Sequence, residues 1–270
     1  MSSAASSASP ASLLRDRIVV IAAAVVWIVG TLIGMGVIGG RGVAEQGEGL
    51  FSDSATLIAP HGPAFTIWPV IYVFLALYIV WQWLPLSDAS RWAARTRLPA
   101  AASLALNGVW LLTVFAGWIF VSVLVMLGIV VALGLVLREV APLPAEGPLA
   151  SAAVGVTFGL YLGWICVATC ANIASWLVGL GVGPDGILAT VLTVVVLVVV
   201  VALAAFLLRV ARHRVVQAAF AAAVVWGTAW VAVGRLTGDL LNAPVAYAAG
   251  AAALGVAALG ALSVVRNRVS

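Results

Sequence analysis

The 270-residue sequence contains no lysine, and only 8% of its residues carry a charge. Soluble proteins usually carry about 25% charged residues, so a water-exposed surface of ordinary size is excluded. Without lysine the chain cannot form a retinal-type Schiff base, which needs a lysine amine. It also lacks a clustered basic segment of the kind that binds nucleic acid. The two cysteines, Cys166 and Cys170, lie in one apolar segment, where we expect a structural role.

Hydrophobic residues make up 64% of the sequence and form segments long enough to cross a bilayer. This pattern predicts an all-α, polytopic transmembrane bundle of about eight helices, preceded by a disordered cytoplasmic tail at residues 1–14. The third and fourth spans are separated only at Ala116 and Gly117, because residues 99–137 are too long for one span. The expected spans are Ile18–Ile38, Pro63–Leu84, Pro99–Ala116, Trp118–Leu137, Leu149–Val178, Ile187–Leu208, Val215–Val233 and Pro244–Val264.

The arginines predict the orientation of this bundle. With eight spans, eleven arginines fall on the side of the termini, and only Arg41 and Arg235 fall on the other side. Because short cytoplasmic loops carry an excess of arginine, both termini are expected in the cytoplasm. An integral protein of a bacterial cytoplasmic membrane is the expected location. Arg235 and Asp239 are four residues apart in an outer loop, where we expect a surface ion pair.

The longest connection between spans covers residues 39–62 and contains Glu45, Glu48, Asp53 and His61. A long loop in a compact bundle is often a lid or a binding element, but a solvated linker explains the composition equally well. No second histidine or cysteine lies near His61 in the sequence, so a metal site is not predicted.

Three predicted helices carry aromatic and amide residues at helical spacing, so the members of each set share a helix face. Asparagine is costly in lipid and should point inward, together with the rings on its face. Aromatic walls with a few amide groups would form a cavity for a flat, apolar ligand. Alternatively, such rings pack the bundle or lie at the membrane interface, as expected for Trp81 and Trp83. The sets are Phe65, Trp68 and Tyr72 in the second span, Asn107 and Trp110 in the third, and Tyr161, Trp164, Ala168 and Asn172 in the fifth.

Two spans carry glycines at intervals of four residues. Gly155, Gly159 and Gly163 form such a row in the fifth span, and Gly30 and Gly34 form a shorter one in the first. Rows of small residues let helix backbones approach closely. They are consistent both with packing inside the bundle and with a homodimer.

The aromatic and amide residues resemble the motifs of the TspO/MBR family, the tryptophan-rich sensory or translocator proteins. The segment FTIWPVIY at residues 65–72 resembles the family's F-x-x-x-W-T-x-L-Y element. Residues 106–110, LNGVW, resemble its L-N-x-x-W element, and residues 161–172 resemble Y-L-x-W-x-x-x-A-x-x-x-N. The three motifs fall in the family's order on the second, third and fifth spans.

This resemblance implies a five-helix fold over residues 15–180, with residues 181–270 forming three additional transmembrane helices. Members of the family bind porphyrins and other hydrophobic ligands in a cavity that the loop after the first helix covers. The family's sterol-associated pattern, tyrosine followed by lysine or arginine, is absent from residues 173–186, so sterol binding is not expected. The expected ligand-binding residues are His61, Phe65, Trp68, Tyr72, Asn107, Trp110, Tyr161, Trp164, Ala168 and Asn172.

The leading functional hypothesis is therefore a membrane protein that binds a porphyrin or another tetrapyrrole in order to sense, move or sequester it. One alternative is a transporter of small hydrophobic molecules that uses all eight helices. Another is a membrane enzyme that modifies a bound porphyrin through the cavity tryptophans. No catalytic residue and no metal are predicted, and no cofactor is required beyond a bound tetrapyrrole. The expected partners are the lipid bilayer, the hydrophobic ligand and a second copy of the chain.

Overall fold

The computed structural model describes residues 10–38 and 49–266, and all regular secondary structure in them is helical. These residues contain eight helices that are long and apolar enough to cross a membrane, which confirms the all-α bundle and its eight spans. The helices are α1 Pro10–Gly34, α2 Gly62–Trp81, α3 Arg91–Phe115, α4 Ile119–Val140, α5 Pro148–Gly179, α6 Gly186–Val210, α7 Arg214–Thr237 and α8 Ala243–Arg266.

The break between the third and fourth helices lies where it was predicted. The last residue of α3 is Phe115, and Gly117 adopts a φ of 71°. This left-handed conformation is accessible to glycine because glycine has no Cβ. The chain reverses there and continues into α4 at Ile119.

Two helices begin earlier than their apolar segments do. The α3 helix starts at Arg91 rather than at Pro99, because the Ser90 side chain accepts a hydrogen bond from the Ala93 amide and caps the helix. Pro99 therefore lies inside α3. The α1 helix starts at Pro10, so residues 10–14 of the expected tail are helical, and residues 1–9 lie outside the described residues. Proline fits a first helical turn because the amide hydrogen that it lacks has no helical partner there.

The α5 helix is the central element of the bundle. It contains a π-helical segment, Ser151–Val156, and it packs against α2, α4 and α7. The α3 helix packs against α1 and α4 on one side of this centre. On the other side α7 contacts α5, and α8 lies against both α6 and α7.

The glycine row of α5 lies against α7. A Cβ placed on Gly159 would lie 2.8 Å from both the Ala219 Cβ and the Val216 carbonyl oxygen. A Cβ on Gly163 would lie 2.4 Å from the Phe220 carbonyl oxygen. Real Cβ atoms do not approach other atoms so closely, so the α5–α7 distance depends on glycine at both positions.

The glycine row of α1 lies against α3 in the same way. A Cβ on Gly30 would lie 2.4 Å from the carbonyl oxygen of Gly108, and a Cβ on Gly34 would meet Leu111 at 2.8 Å. Helices of the same chain therefore occupy both glycine rows. The rows pack the bundle, and these faces are not available to a second copy of the protein.

Charged side chains cluster at the end of the bundle where α1 begins. Arg17 contacts Asp88, and Arg95 pairs with Glu139 at 3.1 Å. Trp83 is exposed near this end, as an interfacial residue would be. Trp81 is buried among the helices, so its assignment to an interfacial belt was wrong.

Candidate ligand cavity

The Trp68 indole is the centre of an aromatic cluster formed by α2, α3 and α5. It stacks on Trp110 with the ring centroids 6.2 Å apart and the planes at 26°. Trp164 and Tyr161 present their rings edge-on, at 6.1 Å and 6.2 Å, and Tyr72 lies 5.4 Å away. Helical spacing places these rings on the facing sides of their helices, as the sequence predicted.

The side-chain amide of Asn172 connects the aromatic cluster to α4. The Trp110 Nε1 donates a hydrogen bond of 2.9 Å to the Asn172 Oδ1. The Asn172 Nδ2 in turn donates to the Ser122 Oγ at 2.9 Å. The asparagine that was expected to point inward therefore joins α3, α4 and α5. The sequence analysis missed Ser122, because nothing in the apolar sequence of α4 distinguishes a serine that faces the bundle from one that faces lipid.

A cavity of about 50 Å³ lies beside these rings. Six of the ten predicted ligand-binding residues contribute to its wall. The others in the wall come from the loop before α2 and from further positions on α5. The wall consists of Phe51, Ser52, Ala59, Pro60, Phe65, Trp68, Trp110, Trp164, Ala168, Ala171, Asn172 and Ser175. Ala171 and Ser175 could have been found from the sequence, because they continue the helix face that carries Ala168 and Asn172.

One polar atom of the cavity wall has no partner within the described chain. Trp164 is 1% exposed, and its Nε1 is buried without a hydrogen bond. Leaving such a donor unpaired in the interior is unfavourable. Phe65 packs edge-on against the same indole with a centroid distance of 5.7 Å.

Three predicted residues lie next to the cluster but outside the cavity wall. Tyr72 contacts Trp68 and also packs edge-on against Trp27 of α1 at 5.1 Å. The Tyr161 hydroxyl donates to the Ser103 carbonyl oxygen at 3.3 Å. Asn107 is fully buried. Tyr72 and Tyr161 therefore contact Trp68 without lining the cavity.

The loop between α1 and α2 covers the cavity with Phe51, Ser52, Ala59 and Pro60. The expectation that residues 39–62 form a lid can be examined only for residues 49–62, because Glu45 and Glu48 lie outside the described residues. The described part of the loop folds back over the C-terminal end of α5 and is mostly buried or half-buried. We use the term lid for residues 49–62.

His61, the tenth predicted residue, does not line the cavity. Its Nδ1 lies 2.9 Å from the Asp53 Oδ2, and the same carboxylate oxygen accepts a hydrogen bond from the Gly62 amide at 2.8 Å. The His61 amide donates to the Trp230 carbonyl oxygen of α7 at 3.2 Å. His61 therefore fixes the end of the lid against α7 instead of facing the rings.

Arg235 anchors the lid to α7. It is 2% exposed, and it donates to the carbonyl oxygens of Asp53 at 2.8 Å and Thr56 at 3.1 Å. The prediction of a surface ion pair with Asp239 was wrong. Arg235 lies in the last turn of α7, and its guanidinium nitrogens donate to backbone carbonyls of the lid. Sequence spacing could not reveal this, because the acceptors are backbone carbonyls about 180 residues away.

Two tryptophans of α7 complete the attachment. The Trp226 Nε1 donates to the Ala64 carbonyl oxygen at the start of α2, with a distance of 2.8 Å. Trp230 packs edge-on against Trp226 at 5.7 Å and lies 6.1 Å from the His61 ring. The seventh helix thus contacts both the lid and the first turn of the helix that carries Trp68.

Comparison with known proteins places these features in one family. A family model described as TSPO-like protein matches residues 16–262. The matched range extends from α1 into α8, so it includes the three last helices, which the motifs at residues 65–172 do not cover. No curated protein and no solved structure matches the chain.

Proposed function

The chain belongs to the TSPO-like protein family, and on that premise we propose that it binds a flat hydrophobic ligand, a porphyrin or a related tetrapyrrole, in the aromatic cavity. The observation that carries the proposal is the cavity wall, where Trp68, Trp110 and Trp164 meet beside a buried N–H group with no partner. Aromatic side chains favour stacked and edge-on contacts with another ring. A tetrapyrrole offers a planar macrocycle and acceptor groups at its edge.

Binding requires the lid to move. A cavity of about 50 Å³ holds only a few water molecules, whereas small-molecule pockets usually measure about 300–1,000 Å³. The lid supplies Phe51, Ser52, Ala59 and Pro60 to the wall, so its displacement would enlarge the cavity without separating α2, α3 and α5. The ligand would then replace the lid side chains against Trp68 and Trp164.

The proposal is tested by titrating the purified protein with protoporphyrin and following the quenching of tryptophan fluorescence. Trp164→Ala should weaken binding by about 2 kcal/mol, or roughly thirtyfold, because it removes a stacking surface and its buried apolar area. Trp164→Phe retains a ring but removes the N–H group, so it should lose about 1 kcal/mol. Trp176→Ala is the matched control, because Trp176 packs on Phe120, away from the cavity wall.

Each variant is first checked for its thermal unfolding temperature in detergent, so that a folding defect is not mistaken for lost affinity. Equal affinity of the wild type and both Trp164 variants would exclude this cavity as the site. Absence of binding by every folded form would leave the rings with a packing role only.

We also propose that both termini face the cytoplasm. Pro10 and Arg266 lie at the same end of the bundle because eight spans return the chain to its starting side, and most arginines lie at that end. Single cysteines introduced by Ser3→Cys and Val269→Cys should react with an impermeant maleimide only after the cells are permeabilised. The parent protein, with only Cys166 and Cys170, is the control. Labelling of both introduced sites in intact cells would show the reversed orientation, and labelling of only one would contradict the eight spans.

A further inference from the structure

A second cavity lies on another face of α5, between that helix, α6 and the lid. Its volume is about 90 Å³, against about 50 Å³ for the aromatic cavity, and the two share no wall residue. Most of its wall is apolar, and no charged side chain contributes to it. The α5 helix contributes Cys170, Ile173, Ala174, Leu177 and Val178. The α6 helix contributes Ala189, Leu192, Thr193 and Val196.

The lid separates this second cavity from the aromatic one. Thr56, Leu57 and Ile58 line the second cavity, whereas Ala59 and Pro60 line the aromatic cavity. Residues 56–58 are almost fully buried in this position. Contact with Arg235 at the Thr56 carbonyl oxygen holds the segment in place. The second cavity is therefore built by the lid, α5, α6 and residues 182–184 between these two helices.

Thr56 contributes a polar group that has no partner. The residue is 3% exposed, and its Oγ1 is buried without a hydrogen bond to any other described residue. A threonine hydroxyl both donates and accepts, so an alcohol or an ester group at this position would satisfy it. A buried hydroxyl left unpaired is unfavourable, which favours an occupant that carries such a group.

The surroundings of the cavity indicate how an occupant reaches it. Ile187 and Leu188 at the start of α6 expose most of their side chains, and α6 is the most hydrophobic of the eight helices. In a membrane-spanning bundle these side chains face acyl chains. An amphiphile in the bilayer can therefore reach the cavity without crossing water.

We propose that this second cavity binds a neutral, single-chain amphiphile, with its hydrogen-bonding head group at Thr56 and its chain between α5 and α6. A volume of about 90 Å³ accommodates roughly six to nine water-sized groups, which is the length of a medium alkyl chain. The uncharged wall excludes a charged head group, because a buried charge without a partner is strongly unfavourable. The lid contributes to both cavities, so its movement on ligand binding in the aromatic cavity would also change this site.

The test uses the full chain in phosphatidylcholine nanodiscs and 1-octanol that carries a photoactivatable diazirine. Labelling should saturate, should be displaced by unlabelled 1-octanol, and should map to peptides that contain Ile173–Val178 and residues 189–196. Ala189→Phe fills the cavity from α6 and should lower the saturable labelling at least about fivefold. Ala202→Phe makes the same change at an exposed position of α6 and should leave the labelling unchanged. Thr56→Val keeps the shape but removes the hydroxyl, so the affinity should fall about threefold to tenfold.

A second arm distinguishes the source of the amphiphile. A neutral monoacylglycerol with the diazirine in its acyl chain, incorporated in the nanodisc bilayer, should label the same peptides, with displacement by 1-octanol, if the occupant comes from the bilayer. Labelling by octanol alone identifies a free amphiphile and also supports the site. Labelling that rises linearly with octanol concentration, or that is equal in the wild type and in Ala189→Phe, would overturn the proposal.

Discussion

Two sides of α5 use opposite kinds of residue. The side that faces α7 carries Gly155, Gly159 and Gly163, and the backbones approach until no side chain fits between them. The side that faces α2 and α3 carries Tyr161, Trp164 and Asn172, whose large groups hold the helices apart and leave a cavity. Glycine has no side chain, so two helix backbones can come into contact. Large rings keep the backbones apart and leave space between the helices. One side of α5 therefore brings two helices into close contact, and the other side keeps the helices apart around a cavity.

The largest expected effect comes from breaking the glycine side. Gly159→Leu forces a side chain against Ala219 and the Val216 carbonyl oxygen, so overpacking should lower the free energy of unfolding by about 3 kcal/mol or more. Thermal unfolding in detergent measures this loss. Gly134→Leu on α4 is the matched control, because a Cβ at Gly134 has nothing within 4 Å. Equal stability of the two variants would mean that α7 does not lie against this row.

The next effect tests whether the two sides are independent, because α7 also holds the lid over the aromatic side. Arg235→Met keeps the length of the side chain but removes both hydrogen bonds to the lid, at a cost of about 2–3 kcal/mol. Hydrogen exchange of residues 49–62 should accelerate in the variant. Arg95→Met removes an exposed pair with Glu139 and should cost less than about 1 kcal/mol. Unchanged exchange in Arg235→Met would show that the lid is held by other contacts.

The smallest expected effect sharpens the description of the aromatic side. Asn172→Leu leaves the Trp110 Nε1 buried without its acceptor and should lower the free energy of unfolding by about 1–2 kcal/mol. Ser122→Ala removes only the partner of the Asn172 amide nitrogen, so its loss should be smaller. Thermal unfolding of both single variants and of the double variant measures the coupling between the two sites. Additive losses would contradict a connected network of Trp110, Asn172 and Ser122.

Local patterns in the sequence determined the spans and the helix faces. The lengths of the apolar segments predicted eight spans, and Gly117 marked the reversal between α3 and α4. Both features depend only on residues that are close together in the sequence. Helical spacing also grouped Trp68, Trp110 and Trp164 correctly on inward faces, since the position of a side chain around a helix follows from its residue number.

Only the tertiary structure decided what each face meets. The glycine row of α5 could have met a second copy, yet it packs on α7 of the same chain. Arg235 resembled a surface residue, yet the lid buries it through two backbone carbonyls that no side-chain pattern marks. His61 was expected among the ligand-binding residues, yet Asp53 and Trp230 hold it against α7. These contacts join residues about 10 to 180 positions apart, and the folded positions of the helices, rather than local spacing, bring them together.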